Sequence, residues 1–534
     1  MKIADYIADQ LVKAGIRNVF GVPGGPSIPY MKAFREAGIE FILTSNESSA
    51  GIMADVSARI SGIPGVCHAT FGPGAANIIA GTGSALLDRS SVIVLTSEVG
   101  EKMAERTTQM NIDHQRLFQP ITKATFRLQT GNVKEILSDA LRICQEEYPG
   151  PVHIGLPDDI AEVEIDNVPD IQYEIKKTQY NNDTERIRSL LQVSRRPLLA
   201  IGLTSARLGI RQELLSFLET HRIPVIITPM AKGVIPEQHP SYTGVLFHAL
   251  SDYLNDILEK TDLVIGLGYD PVEYNYESWL PDVPLIHFNT ILTDLPRGEK
   301  ILQYTGQPDE WFGILTGLNA GSLIFEQAVV KGIREEMLSV YNGFTKHFGP
   351  AAALKIIQDE LPAGSIITAD VGSHVHLAGQ FWETGTSGTF IMTNGWSGMG
   401  FGIPAALAVS LVNPNATVVC ITGDGGFLMS AGEMVTAHRY KLPIIVVVFS
   451  DGELNLIKLK QSWKDNAPYG TVLYQGDLFG SDIFLGIKVL KADSNDSMIK
   501  ALNTALANDE PVIINAMIDP DDYRWLITEK GDTI

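Results

Sequence analysis

The chain has 534 residues, more than one hydrophobic core accommodates, so two to four domains are expected. Hydrophobic residues make up 45% and charged residues 19%, an ordinary globular composition with ample core material. A formal net charge of −21 repels phosphate backbones and anionic lipid heads, which argues against nucleic acid and membrane surfaces as partners.

The opening segment MKIADYIADQLVKAG reads as an amphipathic helix over 3–14, with no signal-peptide apolar run. No stretch of 18 apolar residues occurs, so no membrane span is expected. Residues 18–22 form a short strand entering the turn PGGPS, and 40–44 a second strand. A helix over 47–61 carries small residues along its length. A strand over 65–70 leads through the turn FGPG into a helix over 75–87, and SVIVLT (91–96) is a fully apolar strand of the kind buried between helix layers. PGPVHIGLPDDI (149–160) closes this unit, and the irregular, polar stretch 161–180 reads as a linker. RPLLAIG, IPVIITP and DLVIGLG are the clearest strands of a second unit, 181–320. A long helix over 322–348 opens a third unit, 321–534, with strand-to-turn segments SIITADVG, ATVVCITGDGG and LPIIVVVFSDG. Strands alternating with helices imply the α/β class, with three doubly wound parallel-sheet domains. Cys67, Cys144 and Cys420 are scattered, without metal-ligand spacing, and fit small apolar core positions in a reducing cytoplasm.

The strongest local signal is Gly423-Asp424-Gly425-Gly426 after the apolar strand VVCIT. Asp424 is held at the carboxyl end of a parallel strand, where ligands bind in such sheets. The glycines let backbone approach an anion. A second apolar strand ends in Ser450-Asp451-Gly452-Glu453. If the two strands are neighbours, Asp424 and Asp451 lie side by side as a hard-oxygen site suited to Mg²⁺. A GDG after a strand is often only a tight turn; the paired second site raises the metal reading.

Here the chain resembles the thiamine-diphosphate family of acetolactate synthases, pyruvate oxidases and simple 2-oxo acid decarboxylases. The family pattern is GDG, about two dozen residues, then a dipeptide usually ending in Asn; this chain reads GDGGFLMSAGEMVTAHRYKLPIIVVVFSD, with Asp451 as the departure. The resemblance spans essentially the whole chain. It implies Mg²⁺ on Asp424, Asp451 and the backbone carbonyl of Glu453, with Lys458 or Lys460 as candidate compensating charges. SNESSAGIMADVSAR supplies Glu47, the acid that hydrogen-bonds N1′ of the aminopyrimidine and so assists proton removal from thiazolium C2. ATFGPGAAN supplies Pro73 and Asn77 against the pyrimidine. NGWSGMGFGIPAAL supplies Gly398 and the wedge Met399, and ADVGSH supplies Gly372, Ser373 and His374 near the phosphates. Gly423, Gly425 and Gly426 complete the cofactor set. The family further implies a homodimer at least, commonly a tetramer, with active sites at the subunit interface.

The reaction divides into alternatives. GYDPVEYNYESWLPD and MNIDHQRLFQPITK lean toward a catabolic-type acetolactate synthase, a carboligase acting on a 2-oxo acid. The second segment leads to Lys123 near the substrate, and Gln109 aligns nearby with a one-residue slip. Gly25, Phe71 and Leu454 are the other substrate-side positions. His68 pulls toward a non-oxidative decarboxylase, since a histidine could protonate the intermediate and release an aldehyde. An acetyltransferase or ring-opening hydrolase shares the scaffold, and a catalytically dead subunit is disfavoured by the presence of Glu47 and Asp424. The turn IGLTSARLG lacks the glycine density of a dinucleotide site, so FAD is not expected, and no GxGxxG supports a pure NAD-binding protein.

Overall fold

The computed structural model describes residues 1–165, 170–175, 180–296, 298–324 and 326–528. Three α/β sheets follow one another. The first holds β1 (Asn18–Val22), β2 (Glu40–Leu43), β3 (Gly65–Ala69), β4 (Val92–Glu98), β5 (Ala124–Arg127) and β6 (Val152–Pro157), in the order β2-β1-β3-β4-β6-β5. The second holds β7 (Pro197–Ile201), β8 (Val225–Ile227), β9 (Tyr242–Val245), β10 (Leu263–Leu267), β11 (Leu285–Asn289) and β12 (Ile301–Thr305), in the order β12-β11-β10-β7-β8-β9. The third holds β13 (Ile366–Ala369), β14 (Phe390–Ile391), β15 (Val418–Gly423), β16 (Ile445–Ser450), β17 (Ile483–Phe484), β18 (Ile487–Ala492) and β19 (Val512–Met517). Its order is β14-β13-β15-β16-β19-β18-β17, parallel except where β17 meets β18. The expected α/β class with doubly wound parallel sheets is borne out. No helix among the described residues is long and apolar enough to cross a membrane.

Several boundaries move. The helix expected over 75–87 starts earlier, because Pro73 at its first position has φ preset for a helix, and it breaks at Ile78 into Pro73–Asn77 and Ile79–Leu87. The helix expected over 322–348 runs only from Gln327 to Gly343. At its start, the Asn319 side chain caps a separate 3-10 turn, and past its end Pro350 begins a new helix, Pro350–Glu360. The linker expected over 161–180 lies partly outside the described residues. Its described beginning pairs with the first helix's leading edge: Ile165 N donates to Met1 O at 2.9 Å.

The helix Glu47–Ser61 joins the first and third sheets. Its small residues allow close approach: a Cβ on Gly51 would lie 2.8 Å from Gly81 Cα. Ala50, Met53 and Ala54 share one hydrophobic core with Ile403, Ala406 and Leu407 of the helix Gly402–Val412. Each large apolar side chain so buried contributes ~1.5–3 kcal/mol, far more than an exposed ion pair.

Polar joints fix the register of this contact. Arg59 donates to Asp55 at 2.6 Å, to Asp88 at 2.6 Å and to the Met392 carbonyl at 2.7 Å. Asp88 in turn accepts the Gly395 amide at 3.1 Å, just before Gly398 and Met399. From the third domain, the buried Glu433 carboxylate accepts the amides of Ser45 and Asn46 at 3.0 Å each and the Thr436 hydroxyl at 2.7 Å. It thereby clamps the residues immediately before Glu47.

Glu433→Ala removes the shared acceptor of both amides and orphans the buried Thr436 hydroxyl, and an orphaned buried group costs ~1–3 kcal/mol. Thermal melting is expected to show that loss, and Glu433→Gln, which keeps an acceptor oxygen, is expected to lose less.

Candidate active site

The carboxyl ends of β15 and β16 carry the acidic pair. In register, Gly423 is opposite Phe449, so Asp424 and Asp451 leave adjacent strand ends side by side. Asp424 Oδ2 accepts the amides of Asp451 at 3.1 Å and Gly452 at 2.7 Å and the Tyr474 hydroxyl at 3.0 Å. Asp451 accepts the Glu453 amide at 3.0 Å and the Asn455 side chain at 2.6 Å. Burial, then the charge of Asp424, push the Asp451 carboxyl up to about 7; burial also raises Asp424. Two desolvated carboxylates that repel each other are what a hard divalent cation relieves. Lys458 does not neutralise this pair, because its Nζ is bonded to the Glu453 carboxylate.

A cradle forms over the turn. A Cβ on Gly425 would lie 2.7 Å from Met399 Cε and 3.0 Å from Leu454 Cδ2, so both side chains lean over bare backbone. His374 lies beside two more glycines, 2.8 Å from a Cβ on Gly372 and 3.4 Å from one on Gly423. Gly372 has φ +155°, which glycine adopts readily. Ser373 Oγ and His374 Nε2 are buried without a hydrogen-bond partner. Buried polar atoms are almost always paired, so these two fit a polar ligand at the helix start Ser373–Phe381. Burial lowers His374 to about 4. Gly426 is equally constrained, since a Cβ there would lie 2.7 Å from Asp370 Oδ2.

The first domain supplies a second cluster. Glu47 is 8% exposed at the start of its helix, with Asn46 as the cap accepting Ser48 N at 2.7 Å. Asn77 Nδ2 donates to Glu47 Oε2 at 3.1 Å, and a Cβ on Gly74 would lie 3.2 Å from Glu47 Oε1. Pro73 and Asn77 are exposed and Phe71 is half-buried on the same turn. Gly25 follows β1 with open space beside it, while a Cβ on its neighbour Gly24 would meet Thr70 Oγ1 at 2.2 Å. Gln109 is exposed, and the next residue, Met110, crosses the turn with its carbonyl 2.5 Å from a Cβ on Gly72.

Two expected residues fall outside these clusters. Lys123 precedes β5 at the amino end of the sheet, opposite the end that carries Phe71, and its Nζ donates to the Glu146 carbonyl. Burial lowers it to about 8. His68 is fully buried. Strand alternation turns Cys67 and Ala69 toward the Glu47 helix and His68 to the other face, where Nε2 meets Ser27 Oγ at 2.7 Å. Burial lowers it to about 4, leaving it neutral.

Sequence reasoning missed Asp370 and Tyr474. Asp370 accepts the Gly400 amide at 2.9 Å and the Thr422 hydroxyl at 3.1 Å, tying the Met399 turn to β15. Its signal was present: like Asp424, it ends an apolar strand. Tyr474 lies in an irregular stretch without a motif.

Residues 1–117 match the family "Thiamine pyrophosphate enzyme, N-terminal TPP binding domain", 184–302 the corresponding central domain, and 370–516 the C-terminal TPP binding domain. A probable acetolactate synthase large subunit of Methanocaldococcus jannaschii is 30% identical, over 99% of this chain and 94% of that protein. The acetolactate synthase of Bacillus subtilis is 27% identical over 99% and 95%, and the isozyme 2 large subunit of Escherichia coli 28% over 99% and 98%. The chain thus belongs to the thiamine pyrophosphate enzymes and is related to acetolactate synthase large subunits over nearly its whole length.

Proposed function

We propose that the chain is a thiamine-diphosphate-dependent carboligase of acetolactate synthase type: two pyruvates give acetolactate and CO2. The carrying observation is the acidic pair of Asp424 and Asp451 beneath the Met399–Leu454 cradle, in a chain related end to end to acetolactate synthase large subunits. Asp424, Asp451 and the Glu453 carbonyl would hold Mg²⁺. The turns Gly372–Ser373–His374 and Gly423–Gly426 would take the diphosphate. Bound thiamine diphosphate supplies a nucleophilic carbon at thiazolium C2. Met399 and Gly398 shape the space between the rings, Pro73 and Asn77 flank the pyrimidine, and Glu47 holds the proton at N1′. Phe71, Gln109, Gly25 and Leu454 line the substrate side.

The two clusters come together between subunits in a homodimer, itself the minimum for a tetramer. Within one chain the Glu47 carboxylate is bonded to Asn77, and its helix start is clamped by Glu433. Exposed apolar side chains flank the third-domain cluster, with Leu428 48% and Met429 64% exposed on the helix Asp424–Ser430. Such a patch supports a covering partner. Three buried, unpaired cysteines fit a reducing cytoplasm.

No flavin is part of this reading. From β9 to β12 the middle sheet has the dinucleotide-binding strand order, and its switch point lies between β7 and β10. That crevice is filled by the protein itself. Glu273 accepts the amides of Leu203 at 3.2 Å and Met230 at 2.9 Å and the Thr228 hydroxyl at 2.6 Å. A Cβ on Gly202 would lie 2.5 Å from Tyr269 Cα, so the loops after β7 and β10 touch. Arg89 of the first domain binds Asp270 there at 2.7 Å.

Proton NMR of products from pyruvate, thiamine diphosphate and Mg²⁺ is expected to show acetolactate; aldehyde alone would move the assignment to a decarboxylase. In that assay Glu47→Gln is expected to lower turnover at least ~10²-fold, the scale of a lost proton-transfer group, with melting unchanged. Asp451→Asn keeps an oxygen ligand and removes the like charge. In EDTA its melting midpoint is expected to rise by about 2–4 °C, the shift that ~1 kcal/mol gives in a domain of this size. The purified protein is expected to show no flavin absorbance and no fluorescence quenching on titration with FAD; stoichiometric FAD would reverse the reading of Glu273.

A further inference from the structure

Behind the turn that carries Phe71 and Gly72, the first sheet buries Glu98, His114 and His153, with ligand-capable atoms within 4.8 Å of one another. The hydrogen bonds decide what this group does. The Gly72 amide, which can only donate, points to His114 Nε2 at 3.3 Å. His114 Nε2 therefore carries the lone pair, and the ring proton sits on Nδ1. His114 Nδ1 lies 2.9 Å from Thr96 Oγ1, so it donates there. The single Thr96 hydroxyl proton then goes to His153 Nε2 at 2.7 Å. His153 must carry its own proton on Nδ1, which donates to Thr125 Oγ1 at 2.7 Å. This assignment gives each of these buried groups a partner. Glu98 stands outside the chain, held by Arg127 and by Gln115 at 2.6 Å.

A metal ion is incompatible with this arrangement. Binding through His114 Nδ1 would move the ring proton to Nε2, where it would face the Gly72 N–H. Burial lowers both rings, His114 to about 4, so the singly protonated state the chain needs is the stable one.

What the chain holds is the start of a very short helix. Gly72 has φ +66°, and Pro73 after it has no amide to anchor. The five-residue helix Pro73–Asn77 ends on the side chain that donates to Glu47. We infer that His114 is a positioning residue for Glu47: through Gly72 it sets the Pro73–Asn77 helix, and Thr96, His153 and Thr125 keep its Nε2 lone pair aimed at that amide. The inference rests on the role of Glu47 proposed above.

Two readouts test it on the full chain: deuterium exchange of the peptide spanning Gly72 without cofactor, and C2–H exchange of bound thiamine diphosphate. In His114→Leu the Gly72 amide is expected to exchange about tenfold faster, the scale of one lost hydrogen bond. C2–H exchange is expected to slow several-fold. His114→Gln, which restores an acceptor, is expected to recover most of both. Thr96→Val, a near-isosteric cut two groups away, is expected to speed Gly72 exchange more weakly, and it carries the test if His114→Leu does not fold. Unchanged Gly72 exchange in His114→Leu, or in Thr96→Val where that variant carries the test, overturns the inference. So does a stoichiometric metal other than Mg²⁺ that is lost in His114→Leu, or a loss of C2–H exchange that Gln does not restore. Normal C2–H exchange in Glu47→Gln would overturn the role of Glu47 instead, while Gly72 exchange still reports on His114.

Discussion

Two carboxylates at neighbouring strand ends, Asp424 and Asp451, set the terms for the rest of the third domain. Parallel pairing of β15 with β16 forces them together, and burial makes their mutual repulsion strong. The surrounding groups answer that charge. Two amides and the Tyr474 hydroxyl converge on Asp424 Oδ2, and Asn455 takes Asp451. Glycines at 425 and 426 leave room where any side chain would strike Met399 or Asp370. The site is built by removing side chains from the backbone as much as by adding functional ones.

The first domain solves a different problem, holding one acid in place on a helix start. Glu47 is fixed from three directions: its own helix packs Gly51 on Gly81, Glu433 clamps the residues before it, and Asn77 meets its carboxylate. One of these holds comes from the third domain, so the geometry of the acid depends on how two domains pack. The middle domain keeps a dinucleotide-binding strand order but spends its crevice on internal contacts. Glu273 takes the donors there, and Arg89 pins the neighbouring loop to the first domain.

The sequence alone made legible what rests on local pattern. Long apolar runs such as VVCITG and IIVVVF are buried on both faces, and they emerge as central strands within a residue or two of expectation. Glycine-flanked acids at the ends of two such strands stood out for the same reason, since strand and turn both leave a local pattern. Weak elements were unreadable for the same reason in reverse. β5, β14 and β17 are short edge strands, two to four residues long, with little periodic signal. The break at Ile78 and the early stop at Gly343 carry no side-chain cap and no signal in the hydrophobic period.

What the tertiary structure alone decided was direction. His68 and Glu47 both belong to the first domain, yet strand alternation sends His68 to the face away from the Glu47 helix, against Ser27. Lys123 lies at the wrong end of its sheet, a fact that depends on strand polarity across the sheet. Tyr474 and Glu433 reach the two clusters from segments without a motif, so no local window showed them. Residue type and spacing determined which chemistry this chain can hold, because a ligand needs particular atoms. Which side chains share one volume was fixed only by packing, since contacts between remote segments are made by the fold and not by the neighbourhood in sequence.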